Sequence, residues 1–532
     1  MRVTYEDDPR VQAEQALDDY SRHVVPLTAR TGRWSLAMTM WAVLSALFYL
    51  YISVAVAQAV GTLNAIVGMV VSVAVYGVIN YVIALQAIRN GLTVGLLSRG
   101  IFGNIGGVLT SLLFGVTTLY FAVFEGSIIA VALQQYVSPE SDIRWWYLLV
   151  VLYALPLVIG GVQVWLDKLN GALLPLCVAG LVMIVVAAGQ QHGFSSNFLT
   201  IPATRELAIP GWLWSVVVYM GVFVNMMFTA DFSRFGKPAD TKFHGLVTFG
   251  PVFYVALFLI NGVAGIFLMN TVFPGLKASE HGIAEAILNV SGLLGLIFII
   301  ASQTRINSAN YYLASVNLQG FAARAFGIKW PRLAWVGISG VLVYMLMLTN
   351  VFSYLLRALA WQGVAVTAWV AIVLTHYAMA RNQKFGPEFR PGRVKHILPG
   401  AWALLASTAF GIGLIEFGNS ESWYVLTAPI LIALIASAAY ALATTLGGGK
   451  PLHRLHDPRE SVDDVWKARI ECHVCNRSYT ALEMDCDPTA NQSPICAGCA
   501  EGNTAFLRAT RDESSWLLSP VTGKLTVPKH TH

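Results

Sequence analysis

The sequence predicts an all-α polytopic membrane protein with about twelve transmembrane helices, followed by a small polar carboxy-terminal domain. Of its 532 residues, 56% are hydrophobic and only 12% are charged, and the mean hydropathy is +0.61. Apolar runs of about 20 residues, long enough to cross the hydrocarbon core of a lipid bilayer, recur along most of the chain. The net charge of +5 is too small to indicate nucleic-acid binding, and we expect no nucleic-acid partner.

Residues 1–33 mix acidic and basic side chains ahead of the first apolar run, which begins at Trp34. That run is too long for the hydrophobic region of a cleaved signal peptide, so we expect residues 1–33 to form a mobile cytosolic arm. Hydropathy then places the spans of the transporter-like region 34–446 at about residues 34–58, 64–88, 105–134, 145–165, 169–189, 208–230, 246–273, 283–317, 333–350, 352–380, 398–416 and 422–446.

An even number of spans puts both termini on the same side of the membrane. Lysine and arginine concentrate in alternate connections, at about residues 89–99, 168, 234–242, 324–332 and 381–395. The opposite connections hold only Arg144, Arg205 and Lys277. By the positive-inside rule, this pattern predicts a multi-pass protein of the plasma membrane, the inner membrane of a bacterium, with both termini in the cytoplasm.

The eighth span carries a polar stripe, because Gln303, Asn307, Asn310 and Asn317 recur at helical spacings. Arg305 lies in the same segment, and an arginine at bilayer depth costs at least about 2.5 kcal/mol on insertion scales. Polar residues that join helices explain the Asn side chains but fit the arginine poorly. The segment therefore predicts a binding or transport site surrounded by protein.

The sequence contains no glycine-rich nucleotide loop between a strand and a helix, no nucleophile elbow and no pair of catalytic carboxylates. We therefore expect a protein that is not an enzyme and that binds no organic cofactor.

Three motifs in order carry a family resemblance. They are the loop from Ala87-Ile-Arg-Asn-Gly91 to Ser98-Arg-Gly-Ile-Phe-Gly103, the segment Thr229-Ala-Asp-Phe-Ser-Arg-Phe-Gly236, and the stretch from Ala301 to Asn310. Over about residues 30–446 the chain resembles the purine/cytosine permease family of nucleobase:cation symporters, which includes the bacterial hydantoin permease. The resemblance implies a LeuT-type fold with two inverted five-helix repeats, two added helices and a midplane site beside broken helices. Gly221 permits a break in the sixth span, whereas span 34–58 has no internal glycine or proline.

In the third span, the resemblance implies that Phe121 is the aromatic residue that stacks on the substrate. Glu125 stands one turn later, at the position where the family has an amide. An ionised carboxylate only accepts hydrogen bonds, so Glu125 favours ligands rich in N–H groups and can also carry a proton. A structural ion pair between Glu125 and Arg305 is the alternative.

In the sixth span, the second stacking aromatic falls on Phe223, with Val222 as the alternative one residue earlier. Gly221 would leave backbone groups open to the ligand. The substrate-binding asparagine of the eighth span matches Asn310, which offers both a donor and an acceptor.

Sodium-coupled members of the family resemble one another in the cation site. Its ligands would be the carbonyl groups of Ala42, Ser45 and Ala301 and two consecutive hydroxyl groups. This chain supplies Thr304 but has Arg305 at the second hydroxyl position. A guanidinium there would act as a tethered cation and disfavour sodium. We expect proton coupling through the third-span carboxylate, or uncoupled uptake, rather than sodium coupling.

The resemblance thus implies a secondary transporter that imports a nucleobase or a related small nitrogen heterocycle, such as cytosine, a purine, a hydantoin or an allantoin-like compound, by alternating access. The alternative from another class is a membrane sensor that keeps the transporter fold and reports ligand occupancy through its carboxy-terminal tail. A permease for a cationic substrate attracted by Glu125 is a third hypothesis.

After residue 446 the composition changes, with a short hinge at 447–451 and a polar cytosolic domain at 452–532. This domain holds the knuckles Cys472-His-Val-Cys475 and Cys496-Ala-Gly-Cys499, which twenty residues separate. Two CxxC motifs at such a spacing predict a four-thiolate structural zinc site in the reducing cytosol.

A disulfide or redox pair and an iron centre are the alternatives to zinc. We expect Cys486 to be a spare thiol and His473 not to be a ligand. A closed site leaves no open position for catalysis, so the domain would regulate, stabilise or dock a cytosolic protein partner.

Overall fold

The computed structural model describes residues 1–158, 167–275, 280–349, 355–380, 385–448 and 451–518. The chain forms two compact units. The larger unit comprises Ala13–Pro387 and Ile397–Gly449, and the smaller one comprises Met1–Gln12, Glu388–His396 and Lys450–His532. Within the predicted hinge, residues 449 and 450 lie outside the described residues, as do the predicted topology residues Lys277, Arg381 and Lys384.

The helices are α1 (Pro9–Leu17), α2 (Arg33–Met40), α3 (Phe48–Val60), α4 (Thr62–Asn90), α5 (Val94–Val137), α6 (Ile143–Val158), α7 (Asp167–His192), α8 (Gly211–Met220), α9 (Val224–Ser233), α10 (Thr241–Phe243), α11 (Pro251–Tyr254), α12 (Asn261–Val272), α13 (Glu280–Phe326), α14 (Arg332–Met347), α15 (Leu355–Met379), α16 (Pro399–Phe417), α17 (Trp423–Leu426), α18 (Ala428–Ala443), α19 (Ala497–Glu501) and α20 (Thr504–Leu518). The strands are β1 (Val3–Thr4), β2 (Arg469–Glu471), β3 (Ser478–Thr480), β4 (Met484–Asp487) and β5 (Ser493–Cys496).

Within the described residues, eight helices are long and apolar enough to cross a membrane, and two bent helix pairs raise the number to ten. The shorter apolar helices α6 and α14 occupy the fourth and ninth predicted spans. Every predicted span therefore contains apolar helix, and the prediction of a multi-pass helical membrane protein is confirmed. The ends of the spans predicted at 145–165, 333–350 and 352–380 include residues outside the described ranges.

The first and sixth spans are both broken. The sixth bends by 46° between α8 and α9, where Gly221 lies, as its sequence suggested. The first bends by 45° between the 3₁₀ turn Trp41–Ser45 and α3, although it has neither glycine nor proline. Side chains of α13 replace the backbone bonds lost there: the Leu47 N–H donates to Gln303 Oε1 at 3.1 Å, and Arg305 Nη2 donates to the Trp41 carbonyl at 3.1 Å.

Two of the family-like motifs meet at the start of α5. Asp231 Oδ1, in the second motif, accepts a hydrogen bond from the Val94 N–H at 2.6 Å, and Asp231 Oδ2 accepts one from Asn317 Nδ2 at 3.3 Å. The carboxylate thus satisfies a free N–H group in the first turn of a helix that belongs to the first motif. Gly103 interrupts α5 with a φ of 86°, a conformation that favours glycine.

The segment predicted as a mobile arm is folded. Residues 1–12 of this segment belong to the smaller unit, and residues 13–33 belong to the larger unit. The buried Arg234 side chain donates to the carbonyl groups of Asp19 and Tyr20 at 2.9 and 3.2 Å. These hydrogen bonds hold the backbone at Asp19 and Tyr20 in place, which the composition of the segment did not predict.

The smaller unit contains two antiparallel sheets, one with the strand order β1-β2-β3 and one formed by β4 and β5. Its core is formed by buried apolar residues of the tail, which include Ile470, Met484, Ile495 and Phe506. The smaller unit thus combines the predicted domain 452–532 with residues 1–12 and 388–396, which are remote from it in the sequence.

Candidate functional site

A small cavity of the larger unit lies where the two broken spans meet α5 and α13. Its lining combines four aromatic rings with a carboxylate and two amides: Val43, Phe48, Tyr49, Phe121, Glu125, Val224, Asn225, Phe228, Ile306 and Asn310. The volume open to the centre of a water molecule is about 20 Å³. Because that is room for about one water, a planar heterocycle fits only after the aromatic side chains move apart.

Three of the predicted substrate residues, Phe121, Glu125 and Asn310, are in this lining. The Phe121 ring meets the Phe48 ring edge to face, with the centroids 5.9 Å apart. Glu125 and Asn310 are each only 1% exposed. A buried carboxylate and a buried amide beside aromatic faces are the groups that recognise the polar edge of a flat ring.

The structure corrects the predicted position of the sixth-span aromatic. Phe223 is buried against Tyr76 of α4, with the ring centroids 5.1 Å apart, and it is not in the cavity lining. Gly221 and the alternative Val222 are not in that lining either. The 46° bend between α8 and α9 turns these residues away, and the first turns of α9 supply the lining instead.

Seven lining residues were not predicted: Val43, Phe48, Tyr49, Val224, Asn225, Phe228 and Ile306. Asn225 Nδ2 donates to the Tyr49 hydroxyl at 3.0 Å, so the two broken spans are joined by a polar contact at the cavity. An asparagine four residues after Gly221 in an apolar span was a signal that sequence reasoning could have used.

Glu125 binds Gln303 rather than Arg305. Gln303 Nε2 donates to Glu125 Oε2, while the Oε1 atom of the same amide accepts the Leu47 N–H at the break of the first span. No ion pair between Glu125 and Arg305 occurs among the described residues. The alternative of a structural Glu125–Arg305 pair is therefore not what the structure shows. Asn310 Nδ2 is buried and, within the described residues, has no hydrogen-bond partner, so a donor is available at the cavity.

Of the predicted cation-site residues, Ala42 and Ser45 lie at the break of the first span, and Arg305 contacts it. Ser45 Oγ donates to the Ala42 carbonyl at 2.6 Å. Ala301 is 7% exposed, and Thr304 Oγ1 bonds the Ile300 carbonyl at 2.5 Å and the Tyr153 hydroxyl at 3.0 Å.

Arg305 extends from α13 to the first span and to Cys177 of α7. Its guanidinium is fully buried and donates to the Trp41 carbonyl, and the Cys177 thiol lies within hydrogen-bonding reach. Its Nε and Nη1 atoms have no hydrogen-bond partner within the described part of the chain. The positive charge thus lies at the junction of the first, fifth and eighth spans.

The four cysteines predicted as metal ligands come together in the smaller unit. The Sγ atoms of Cys472, Cys475, Cys496 and Cys499 all lie within 4.8 Å of one another. Four thiolates around zinc with Zn–S bonds of about 2.3 Å would have S···S separations of about 3.8 Å, so the donor set fits a tetrahedral metal. The Cys496 N–H donates to Cys472 Sγ at 3.3 Å and the Cys499 N–H to Cys496 Sγ at 3.4 Å.

Cys486 and His473 lie outside this cluster, as expected. Burial raises the pKa of the Cys486 thiol to about 11. His473 Nε2 instead lies 3.1 Å from Asp487 Oδ2.

Two broken spans lie beside the cavity in a helical membrane protein, and solved structures of the LeuT type share this fold. Mhp1, a nucleobase-cation-symport-1 family transporter in a closed conformation with bromovinylhydantoin bound, matches with a TM-score of 0.62 and 14% identity, over 82% of this chain and 97% of that chain. Mhp1 in an inward-facing conformation matches with a TM-score of 0.62 and 15% identity, over 82% of this chain and 96% of that chain.

A substrate-bound, outward-open Na⁺-coupled sialic acid symporter gives a TM-score of 0.57 and 12% identity, over 83% of this chain and 97% of that chain. No family model matches the chain, and no curated protein matches it. At these identities the likeness establishes the fold, and the predicted LeuT-type fold is confirmed.

Proposed function

We propose that the protein is a secondary transporter that imports a nucleobase or a related small nitrogen heterocycle across the plasma membrane, with both termini in the cytoplasm. The observation that carries the proposal is the cavity at the two helix breaks, where Phe121, Glu125 and Asn310 lie together. The fold shared with Mhp1, whose structure holds a hydantoin, supports the substrate class.

The cavity offers complementary contacts to such a ring. Phe121 supplies an apolar face for stacking, and the Glu125 carboxylate accepts hydrogen bonds from ring N–H groups. The unpaired Asn310 Nδ2 donates to a ring carbonyl or an unprotonated ring nitrogen. Cytosine, purines, hydantoins and allantoin-like compounds all carry donors and acceptors at neighbouring positions of a flat ring.

Coupling in this proposal does not use sodium. The Arg305 guanidinium donates to the Trp41 carbonyl at the break of the first span, and the next residue is Ala42, whose carbonyl the family resemblance assigns to a cation. A fixed positive charge there repels Na⁺. Arginine stays protonated, so the Glu125 carboxylate is the proposed proton carrier, and uptake without a coupled ion is the alternative.

We also propose that the four-cysteine cluster holds a structural zinc ion. The metal would stabilise the smaller unit by joining its two knuckles, and all four positions of a tetrahedral site would be occupied by thiolates.

A membrane sensor is the second candidate, because a separate compact unit accompanies the transporter fold. The test is uptake of labelled nucleobases and hydantoins into proteoliposomes, with sodium and proton gradients imposed separately. Sodium-independent, proton-stimulated uptake that Glu125→Gln abolishes would support the proposal. Binding without uptake would favour the sensor, and accumulation of organic cations alone would favour the third hypothesis, a cationic substrate.

A further inference from the structure

The smaller unit is built from three parts of the chain that are far apart in sequence. Residues 1–12 precede the first broken span, and residues 388–396 connect α15 to α16. The tail from residue 451 onward supplies the cysteines. Each of the two remote segments is bound next to a different cysteine knuckle.

The amino-terminal segment is held at the first knuckle. Val3 pairs with Ile470 and Thr4 with Arg469, in the strand that leads directly into Cys472. Beyond this strand pair, Arg10 Nη2 donates at 3.3 Å to the carbonyl of Asn476, the residue that follows Cys475. The Arg469 Nε also donates to Asp7 Oδ1 at 2.6 Å.

The 388–396 segment is held at the strand pair of the second knuckle. Arg390 Nη1 donates to the carbonyl of Met484 at 2.7 Å, and Met484 pairs with Cys496 across β4 and β5. Arg393 Nε donates to Asp485 Oδ1 at 3.0 Å, and the Leu452 N–H donates to the Arg393 carbonyl at 2.8 Å.

The Arg390 guanidinium is fully buried and forms two bidentate pairs. It binds Glu388 through Nε and Nη2 at 2.9 and 2.7 Å, and Asp457 through Nη1 and Nη2 at 2.8 and 2.9 Å. A Cβ atom at Gly392 would lie 2.5 Å from the Phe506 ring and 2.8 Å from Asp485 Oδ2, so the segment fits closely. The 388–396 segment is therefore packed into the smaller unit and does not merely pass over its surface.

The strands that carry the knuckles have only two to four residues each. Strand pairs this short are marginal in isolation, and in small metal-binding domains the binding free energy of the metal is folding free energy. Removal of the metal would therefore disorder the strands to which both remote segments are bound.

We propose that the four-cysteine metal site is a latch. An ion such as zinc holds the segment before the first broken span and the connection between α15 and α16 in one folded body, and loss of the ion releases both. Metal availability would thereby regulate the conformational freedom of two connections of the membrane unit. This proposal rests on metal binding at the cluster and not on the identity of the transported substrate.

The test is hydrogen–deuterium exchange of the full chain in lipid nanodiscs, with metal content measured on the same samples. Zinc-loaded protein is compared with protein stripped by a chelator and with stripped protein given zinc again. We expect exchange in peptides covering residues 1–12 and 388–396 to become at least about tenfold faster without metal and to recover with zinc, while α5 peptides stay unchanged.

Variants separate the latch from general unfolding. Cys496→Ser should lose the metal and expose both segments, whereas Cys486→Ser, a buried cysteine outside the cluster, should retain metal and protection. Arg390→Gln should retain the metal and the protection of residues 1–12 from exchange, while exchange in residues 388–396 becomes faster. Unchanged protection after complete removal of the metal would overturn the latch, and so would protected segments in a protein that binds no metal.

Discussion

On the proposed sodium-independent uptake, replacement of Arg305 by serine should make uptake respond to sodium. The variant removes the buried guanidinium and supplies the second of two consecutive hydroxyl groups, beside Thr304. Arg305 Nη2 lies 3.1 Å from the Trp41 carbonyl, and Ala42 is the next residue. A cation bound at the Ala42 carbonyl would thus lie on the order of 4 Å from the guanidinium charge, which at an effective dielectric constant of about 20 costs about 4 kcal/mol.

That repulsion corresponds to a sodium affinity about a thousandfold weaker than in the same site without the arginine. The assay is substrate uptake into proteoliposomes and substrate binding in detergent, each measured over a range of sodium concentrations at fixed ionic strength. Uptake by Arg305→Ser should rise with sodium, and the apparent substrate affinity should rise with it.

Arg305→Lys is the matched control, because it keeps a positive charge and should remain indifferent to sodium. The double variant Thr304→Ala/Arg305→Ser should lose the gained response, since it lacks one of the two hydroxyl groups. The reasoning is refuted if the unmodified protein already responds to sodium, or if a folded, substrate-binding Arg305→Ser protein shows no response.

Three further outcomes follow from the contacts described. Glu125→Gln should weaken substrate binding roughly ten- to hundredfold, because a hydrogen bond to a charged group contributes about 1.5–3 kcal/mol, and it should abolish proton stimulation of uptake. Asn310→Ala should weaken binding roughly two- to tenfold in the same assay without lowering thermal stability, since its Nδ2 atom has no partner within the described structure. Arg390→Gln should destabilise the smaller unit by roughly 1.5–3 kcal/mol, which thermal unfolding would measure, because Glu388 and Asp457 lose charge-assisted hydrogen bonds but keep Arg459 as a partner.

The pH dependence of the smaller unit has a defined sign. Burial alone would raise the pKa of Glu388, but the neighbouring Arg390 and Arg459 guanidinium groups lower it to about 2. The same balance of burial against Arg390 places the pKa of Asp457 below its usual range. Stability from these carboxylates is therefore complete above their ordinary pKa values and lost as the pH falls toward the lowered ones. The difference in the free energy of unfolding between the unmodified protein and Glu388→Gln should be constant between pH 7 and 5, and a difference that changes over that range would contradict the assignment.

The spans were predictable because the energetic requirement for apolar residues in a bilayer is local and leaves a strong pattern. The break of the first span was not, because no residue of that span causes it. Gln303 and Arg305, more than 250 positions away, satisfy the backbone groups that the break exposes. Such a break is stabilised by tertiary contacts, and helix propensity does not report them.

The sequence also specifies poorly which residues beside a helix break face the cavity. The family resemblance assigned Phe223, beside the break of the sixth span, to the substrate, but its ring packs against Tyr76, and Asn225 and Phe228 are in the lining. In the third span, by contrast, the two residues that the family resemblance assigned to the substrate, Phe121 and Glu125, are both in the cavity lining.

The cysteine cluster was predictable from spacing, whereas the segments bound to it were not. A two-residue strand at Val3–Thr4 has no sequence signal, and its partner strand begins at Arg469. Arg390 and Arg393 were interpreted as topology charges, since both lie in a basic connection. In the structure their guanidinium groups pair with Asp457 and Asp485 of the tail domain.

Side chains of the eighth span contact both the cavity and the break of the first span. Gln303 bonds the Glu125 carboxylate with its amide nitrogen and the Leu47 N–H with its oxygen, while Asn310 of the same helix lines the cavity. A substrate that draws the Glu125 carboxylate toward its own N–H groups must compete with Gln303. Because the other end of that amide holds the first break, the proposed substrate recognition by Glu125 would be connected to the geometry of the broken span through a single side chain, as the proposed alternating access requires.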